Sequence, residues 1–286
     1  MKNSKKFNKY RVKKHFSNFL TYFFSVLLVL FCIFPFYWMV SSSLKSSVEF
    51  YAVPPTFFPK LVTLEQYIKL LKETFFTNWF KNTALVTLVS TFLSVFVATL
   101  GAYSLTRGRF RARETIANMV LLTYMFPPIL MALPLYLLLA RTRLINSLPG
   151  LMITYLTIAL PYSLWMLRAF FQTIPYELEE AGMIDGATRF QVIWKIVLPM
   201  ALPGILATSL FTLITTWNEY LYALLFISSE NLKTLSVGLT GFLTKHGIRW
   251  DYIMPGSVLS SVPIFVFFFY IQKYLVEGWG GGAIKG

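Results

Sequence analysis

The sequence predicts an all-α, polytopic membrane protein with six transmembrane helices. Three observations carry that prediction. Of 286 residues, 56% are hydrophobic and only 13% charged, a balance outside that of ordinary soluble domains. The apolar residues come in runs of twenty or more rather than at the spacing of a core-facing stripe, and a hydrocarbon layer of about 30 Å needs about 20 helical residues at about 1.5 Å each. The net charge of +14 gathers at the ends of those runs and in the N-terminal stretch KNSKKFNKYRVKK, where the cytoplasmic flanks of membrane spans carry their Lys and Arg.

Taken in order, the expected spans are Phe19 to Val40, Asn82 to Thr106, Thr115 to Leu139, Leu148 to Leu167, Ala201 to Phe226 and Met254 to Gln272. The segment before the first span is long and basic and no A-x-A-like site follows, so it is expected to be an uncleaved anchor with its N-terminus inside. Alternation then puts 107–114, 168–200 and the C-terminus on the cytoplasmic side. Charge agrees: a majority of the 26 Lys and Arg fall on that side, and Arg107, Arg109, Arg111 and Arg113 crowd one short loop. The organisation expected is a basic cytoplasmic N-terminus (1–18), a six-helix transmembrane domain (19–272) that includes the cytoplasmic loop 168–200, and a cytoplasmic tail (273–286). Pro35, Pro127, Pro128, Pro134, Pro161 and Pro263 punctuate the spans. Each removes a backbone hydrogen bond; such prolines are either ordinary in membrane helices or mark helices broken around a gated path.

Several function classes are excluded or disfavoured. Nucleic-acid binding lacks a basic face on a soluble module. Cys32 is the single cysteine and lies in the first apolar run, and His15 and His246 are far apart, so an intrachain disulfide, a cysteine-rich metal site and a histidine cluster are not expected. No paired carboxylates, Ser/His set or metal-ligand spacing points to a membrane enzyme. An ion-gradient carrier would need intramembrane ionisable groups, and Glu219 is the only acidic residue inside the six spans, near an end of its helix where water could reach it.

The polar stretch EEAGMIDGATRFQVIWKIVLP (179–199) stands apart from its apolar surroundings. Pro175 suits a first helical turn, and Glu177, Glu179 and Glu180 fall where carboxylates meet the unpaired N–H groups and the positive end of a helix dipole. Gly182 and Gly186 limit that helix to about two turns, and Asp185 can cap a second one. The second helix would carry Phe190, Ile193 and Val197 on one face, with Arg189 and Gln191 elsewhere, before Leu198-Pro199 returns the chain to the membrane. Three carboxylates facing an anionic leaflet argue against a helix pair lying flat on lipid. A protein partner explains the projection better.

At these residues the string EEAGMIDGATRFQVIWKIVLPMALP resembles the EAA loop of permease subunits in bacterial ABC importers. Glu180, Ala181, Gly186, Ile196, Leu198 and Pro199 occupy the motif's positions, while Gly182 stands where a second Ala is usual. The stretches KNTALVTLVSTFLSVFVATLGAYSLTRGRF, TWNEYLYAL and GSVLSSVPIFVFFFYIQKYLVEGWGGGAIKG are similar to the carbohydrate branch of the maltose type. In the tail, Gly282, Lys285 and Gly286 match, and the usual Leu-Thr is replaced. The resemblance implies the type I ABC importer permease fold in the bacterial cytoplasmic (inner) membrane. It implies that Glu180, Ala181, Gly182, Asp185, Gly186, Ala187, Phe190, Ile196, Leu198 and Pro199 couple to a cytoplasmic ATPase, and that Gly282, Lys285 and Gly286 make a tail contact. It also implies two ATPase subunits, a second homologous permease, an extracytoplasmic solute-binding protein, a sugar cargo and surrounding lipid. This chain has no G-x-x-x-x-G-K-[ST] loop, so no cofactor is expected on it; ATP and Mg would sit on the partner ATPase, and the chain itself is not an enzyme. Glycerol phosphate and polyamine permeases share the branch or the loop and remain alternative cargo classes.

For the cargo path, Trp217, Asn218, Glu219 and Tyr220 offer aromatic faces and polar groups in four consecutive residues, the combination a sugar site uses. An interfacial aromatic belt would equally account for Trp217 and Tyr220. The face of Thr208, Thr212, Thr215 and Thr216 could line a polar path or bond its own helix backbone.

The topology yields a direct test. In a Cys32→Ser background, a cysteine at position 189 is expected to react with an impermeant thiol reagent only after the membrane is opened. Labelling from outside intact cells would overturn the orientation.

Overall fold

The computed structural model describes the backbone of residues 2–244 and 247–283, and the side chains of 18–243 and 247–274. The chain is helical almost throughout: α1 (Lys2–Ser43), α2 (Ser47–Phe50), α3 (Glu65–Glu73), α4 (Phe76–Arg107), α5 (Arg113–Met125), α6 (Pro128–Arg141), α7 (Leu148–Thr173), α8 (Glu177–Ile184), α9 (Arg189–Val192), α10 (Leu198–Trp217), α11 (Leu221–Phe226), α12 (Leu235–Thr240) and α13 (Trp250–Ala283). A π-helical turn, Ile193–Val197, joins α9 to α10. The hairpin β1 (Leu243–Thr244) and β2 (Gly247–Ile248) pairs antiparallel with Leu243 opposite Ile248. Among the described residues, five helices are long and apolar enough to cross a membrane, and a sixth span is made by α5 and α6 together.

That sixth span, expected over Thr115 to Leu139 with Pro127, Pro128 and Pro134 inside it, is broken. It bends by 98° between Met125 and Pro128. Two adjacent prolines withdraw two N–H groups and force the residues before them out of the α region; Phe126 has ψ 130 and Pro127 ψ 125, and Pro128 then opens α6. Isolated prolines do not have this effect. Pro35, Pro134, Pro161 and Pro203 all lie inside continuous helices.

The expected fifth span, Ala201 to Phe226, is also corrected. The helix crossing there is Arg189–Trp217. At one end it absorbs the second helix of the polar loop. At the other it stops where the Asn218 amide turns back to donate to the Ile214 carbonyl at 2.8 Å.

The chain forms two compact units. One comprises the chain up to Lys72 together with Arg249–Val258. Its span, Asn18–Ser43, has no buried residue in its apolar window, as expected of a helix whose neighbours are lipid or another chain. Beyond it, Lys45 donates to the Thr56 carbonyl at 2.5 Å, and the Glu49 carboxylate accepts from the Thr56 hydroxyl at 2.7 Å and the Lys60 N–H at 2.9 Å. Those two donors hold Glu49 below the usual carboxylate range.

The other unit comprises Glu73–Ile248 and the chain from Leu259 onward, and is built on α4, α7 and α10. Apolar clusters occupy its two ends. One gathers Ala98, Ala102, Leu164, Leu167, Phe171, Val192 and Val197 at the end bearing the polar loop. The other gathers Val86, Leu139, Leu151, Tyr155, Tyr222 and Phe226 at the far end. Between them runs a seam of small hydroxyl residues. Ser163 meets Thr212 at 2.9 Å and Thr91 meets Thr216 at 3.3 Å, with Thr87, Ser90, Ser94 and Thr208 also buried. Without a hydrophobic drive inside lipid, close backbone approach over small residues is what holds such helices together.

Gly204 shows how tight that approach is. A Cβ there would run into the Cβ and ring of Phe170 on α7, atoms too near the backbone to swing aside. Overpacking costs about 1–3 kcal/mol, which outweighs the helix-propensity gain of about 1 kcal/mol for Gly→Ala. Gly204→Ala should therefore lower the thermal midpoint of the purified protein, and Phe170→Leu in the same background should recover part of the loss.

Candidate functional site

The polar loop is two capped helices joined by a four-residue turn. Its first helix, α8, begins with Glu177, Glu179 and Glu180 in the first turn. It ends in a Schellman motif: Gly186 N–H bonds Met183 O at 3.1 Å and Ala187 N–H bonds Gly182 O at 3.0 Å, with Gly186 at φ +87. That positive φ is the reason for a glycine there. Thr188, not Asp185, caps the second helix. Its hydroxyl accepts from Gln191 N–H while the Gln191 side chain accepts from Thr188 N–H, a complete capping box; Asp185 instead closes the end of α8. Asp185 stands three places before an equally reasonable cap, and the Gln three residues after Thr188 decided between them.

The inward face of the second helix also differs from the expected Phe190, Ile193 and Val197. Val192 and Val197 are buried, whereas Phe190 and Trp194 face outward with rings 5.9 Å apart. The π turn adds a residue to the helix and rotates the faces out of the simple 3.6-residue count. Ile196 packs partly into the loop-side core with Ala187. Its Cδ1 sits 2.6 Å from where a Gly182 Cβ would be, so Ile196 occupies the space that an alanine at 182 would need.

The tip is a small apolar knob in an acidic rim. Ile184 is 84% exposed and Met183 38%, beside exposed Glu177, Glu180, Ala181 and Asp185. Glu179 alone of the three carboxylates turns inward. It receives Arg107 Nε at 2.5 Å and the Tyr103 hydroxyl at 3.0 Å, while Arg107 Nη2 donates to the Ile174 carbonyl at 2.7 Å. The two side chains are only 9% and 4% exposed. Removing one partner of a buried pair leaves an uncompensated charge and costs about 3–5 kcal/mol. From the sequence, Glu179 was only one of three first-turn carboxylates and Arg107 only one of four arginines in a short loop, while Ile184 and Thr188 were not singled out, although the capping box at Thr188 and Gln191 was visible there. Leu198 and Pro199 begin α10. Gly282 lies in the last turn of α13, and Lys285 and Gly286 lie outside the described residues.

The cargo candidates are dispersed. Trp217 is buried against Phe80, with ring centroids 5.8 Å apart, so its ring belongs to the helix packing and not to an interfacial belt. Asn218 and Tyr220 are exposed. Glu219 caps α11, its two oxygens accepting from Tyr222 N–H at 2.8 Å and Ala223 N–H at 3.1 Å. Thr208, Thr212 and Thr216 face the helix seam, and Thr215 bonds its own helix at Phe211 O. A cavity of about 340 Å³ opens instead at the break in the bent span, lined by Thr123, Tyr124, Phe126, Thr157 and Tyr222 among others. It offers aromatic faces and hydroxyls together, from residues that the sequence scatters over three spans.

The bundle thus has helices long and apolar enough to cross a membrane and presents a capped helix pair from one end. The chain belongs to the family described as binding-protein-dependent transport system inner membrane component, whose model matches residues 90–279. It is 34% identical to the inner membrane ABC transporter permease protein YcjP of Escherichia coli (strain K12), over 91% of this chain and 94% of that one. It is also 34% identical to the trehalose/maltose transport system permease protein MalG of Thermococcus litoralis, covering 92% and 95%. The diacetylchitobiose uptake system permease protein DasC of Streptomyces coelicolor is 33% identical, with the same coverage of the two chains. Among solved structures, a bacterial ABC transporter that imports alginate superposes with TM-score 0.75 at 21% identity, covering 90% and 95% of the two chains. The methionine transporter MetNI in an inward-facing form gives TM-score 0.59 at 19% identity, covering 75% and 98%.

The capping box can be tested alone. Thr188→Ala should destabilise the start of α9 by about 1 kcal/mol and speed hydrogen exchange at the Gln191 amide severalfold, while Thr188→Ser should leave it near wild type.

Proposed function

We propose that this chain is a permease subunit of an ATP-driven oligosaccharide importer, forms half of the translocation path, and couples to a separate ATPase through residues 177–199. The observation that carries the coupling assignment is the loop tip, where exposed Ile184 stands in a rim of Glu177, Glu180 and Asp185 on a turn closed at both ends. A flexible loop would absorb a push; a capped one transmits it. The partners proposed are a solute-binding protein, supported by the family's binding-protein-dependent description, a second permease of similar fold and two ATPase copies, with ATP and Mg held by the latter. Oligosaccharide cargo is supported by the disaccharides named for the Thermococcus and Streptomyces relatives. The aromatic and hydroxyl lining of the cavity at the span break suits a sugar better than a polyamine, because among the described residues no carboxylate lines it. Residues 168–200 and both termini are assigned to the cytoplasmic side.

Gly186 provides the test. No atom lies within 4 Å of a Cβ built there, so a side chain fits sterically, and the left-handed backbone alone resists it by about 1–2 kcal/mol. Such a cost is too small to unfold the bundle but misplaces a docked turn by a factor of roughly 5 to 30 in occupancy. Gly186→Arg should stay in the membrane, lose co-purification of the ATPase subunit, and lose ATP hydrolysis stimulated by loaded binding protein. Normal docking and stimulation would refute the coupling role. Uptake of maltose, trehalose, diacetylchitobiose and glycerol 3-phosphate by the wild-type complex tests the cargo class; preference for the last would overturn the sugar assignment.

A further inference from the structure

Chain connectivity ties α8 to α7 and to α10 but not to α4. Arg107, the last residue of α4, stands 72 positions from Glu179. It nonetheless reaches both α8 and the end of α7. Its Nε meets one carboxylate oxygen of Glu179, and Tyr103, one turn earlier on the same face of α4, donates to the other. Its Nη2 meets the Ile174 carbonyl, which caps the end of α7, and its guanidinium lies 5.6 Å from the Tyr176 ring centroid. With both oxygens of one carboxylate engaged from residues four apart, the joint fixes rotation as well as distance, and burial removes the screening that would loosen a surface pair. The neighbouring carboxylate, Glu114, meets Arg168 at 2.6 Å and Arg113 at 3.4 Å but is 58% exposed, so solvent screens it and it offers no comparable constraint.

The other end of α4 is pinned as well. Trp79 donates to Glu230 O at 2.8 Å, the Asn82 amide to Asn231 O at 2.9 Å and Lys233 O at 3.0 Å, and the Thr83 hydroxyl accepts from Leu235 N–H at 2.8 Å. Both sets of anchors belong to one helix, the 32 residues of α4, a rod of roughly 48 Å with no proline inside.

We propose that the Arg107–Glu179 joint makes α8 and α4 move as one body, and that α4 delivers displacement of the polar loop to segment 230–235 at the opposite end of the bundle. Arg107, Glu179 and Tyr103 are positioning residues. The proposal rests on the reading that the loop docks on the ATPase. It assigns the distinct step that follows docking.

The test uses the reconstituted complex of this chain with its partner permease and ATPase, in a Cys32→Ser background. Spin labels at Ser104→Cys and Glu177→Cys report the α4–α8 distance in the nucleotide-free and MgADP–vanadate states. Hydrogen exchange reports amides 231–235 in the same two states. With the joint intact, the label distance is the same in both states and exchange at 231–235 changes between them. With Glu179→Gln, the distance shifts between states by more than the width of the wild-type distribution, and the exchange response at 231–235 is lost; Glu179→Asp, which keeps the charge, retains the response. A merely structural role would lower the melting temperature of Glu179→Gln and leave the exchange response in place, which overturns the proposal. A wild-type distance that changes with nucleotide overturns it too. Gly186→Arg separates the two readings. If that variant still docks the ATPase, the docking reading has failed; if it does not dock and Glu179→Gln keeps the wild-type response, only the joint has failed.

Discussion

Lipid offers a backbone N–H or carbonyl no water to bond, and at two departures from helix among the described residues specific side chains supply partners. Where the bent span breaks at Pro127 and Pro128, the Tyr222 hydroxyl donates to the Pro128 carbonyl at 3.2 Å. Where α10 stops, Asn218 returns to Ile214 O and Glu219 takes the first free N–H groups of α11. The polar residues near that break are thus first of all what permits the break. A cavity beside it exists because helix is absent there.

The same constraint explains why the bundle is held by hydroxyls and glycine instead of large apolar side chains. In lipid, burying leucine against leucine gains little, so contact area and backbone proximity decide. The seam through α4, α7 and α10 has serine and threonine at its centre and conventional apolar clusters at its two ends. The loop-side cluster continues into the polar loop through Val192 and Ala187, so α8 and α9 are seated on the bundle before any partner arrives.

How much of this was readable in advance depended on whether the determining property is one-dimensional. Span existence follows from run length, and α4, α7 and α13 contain the expected spans. The Pro127-Pro128 pair signalled a break, but its 98° angle depends on how α6 packs. A π turn has no composition of its own, so the fusion of the second loop helix with α10 was invisible. Three glutamates in the first turn of α8 look alike in sequence; which one turns inward is fixed by the phase of α8 against α4, a three-dimensional quantity. Arg107 was read as one of four arginines marking the cytoplasmic side, and that bulk role concealed its individual partner. The threonine face of α10 was seen at its correct spacing, while the identity of what it faces required the fold.

The π turn at Ile193–Val197 makes sequence length there a setting of angle. Each residue of a helix advances the chain by about 100° around its axis, and the widened turn holds one residue in reserve between the tip and the membrane. Deleting a single position between 193 and 197 would remove the extra residue that the wide turn accommodates between α9 and α10 and leave ordinary helix in its place. Side chains at the exposed tip are free to drift with whatever surface they meet. The number of residues behind them is not, because Val192 and Val197, on either side of the turn, are both buried in the loop-side core.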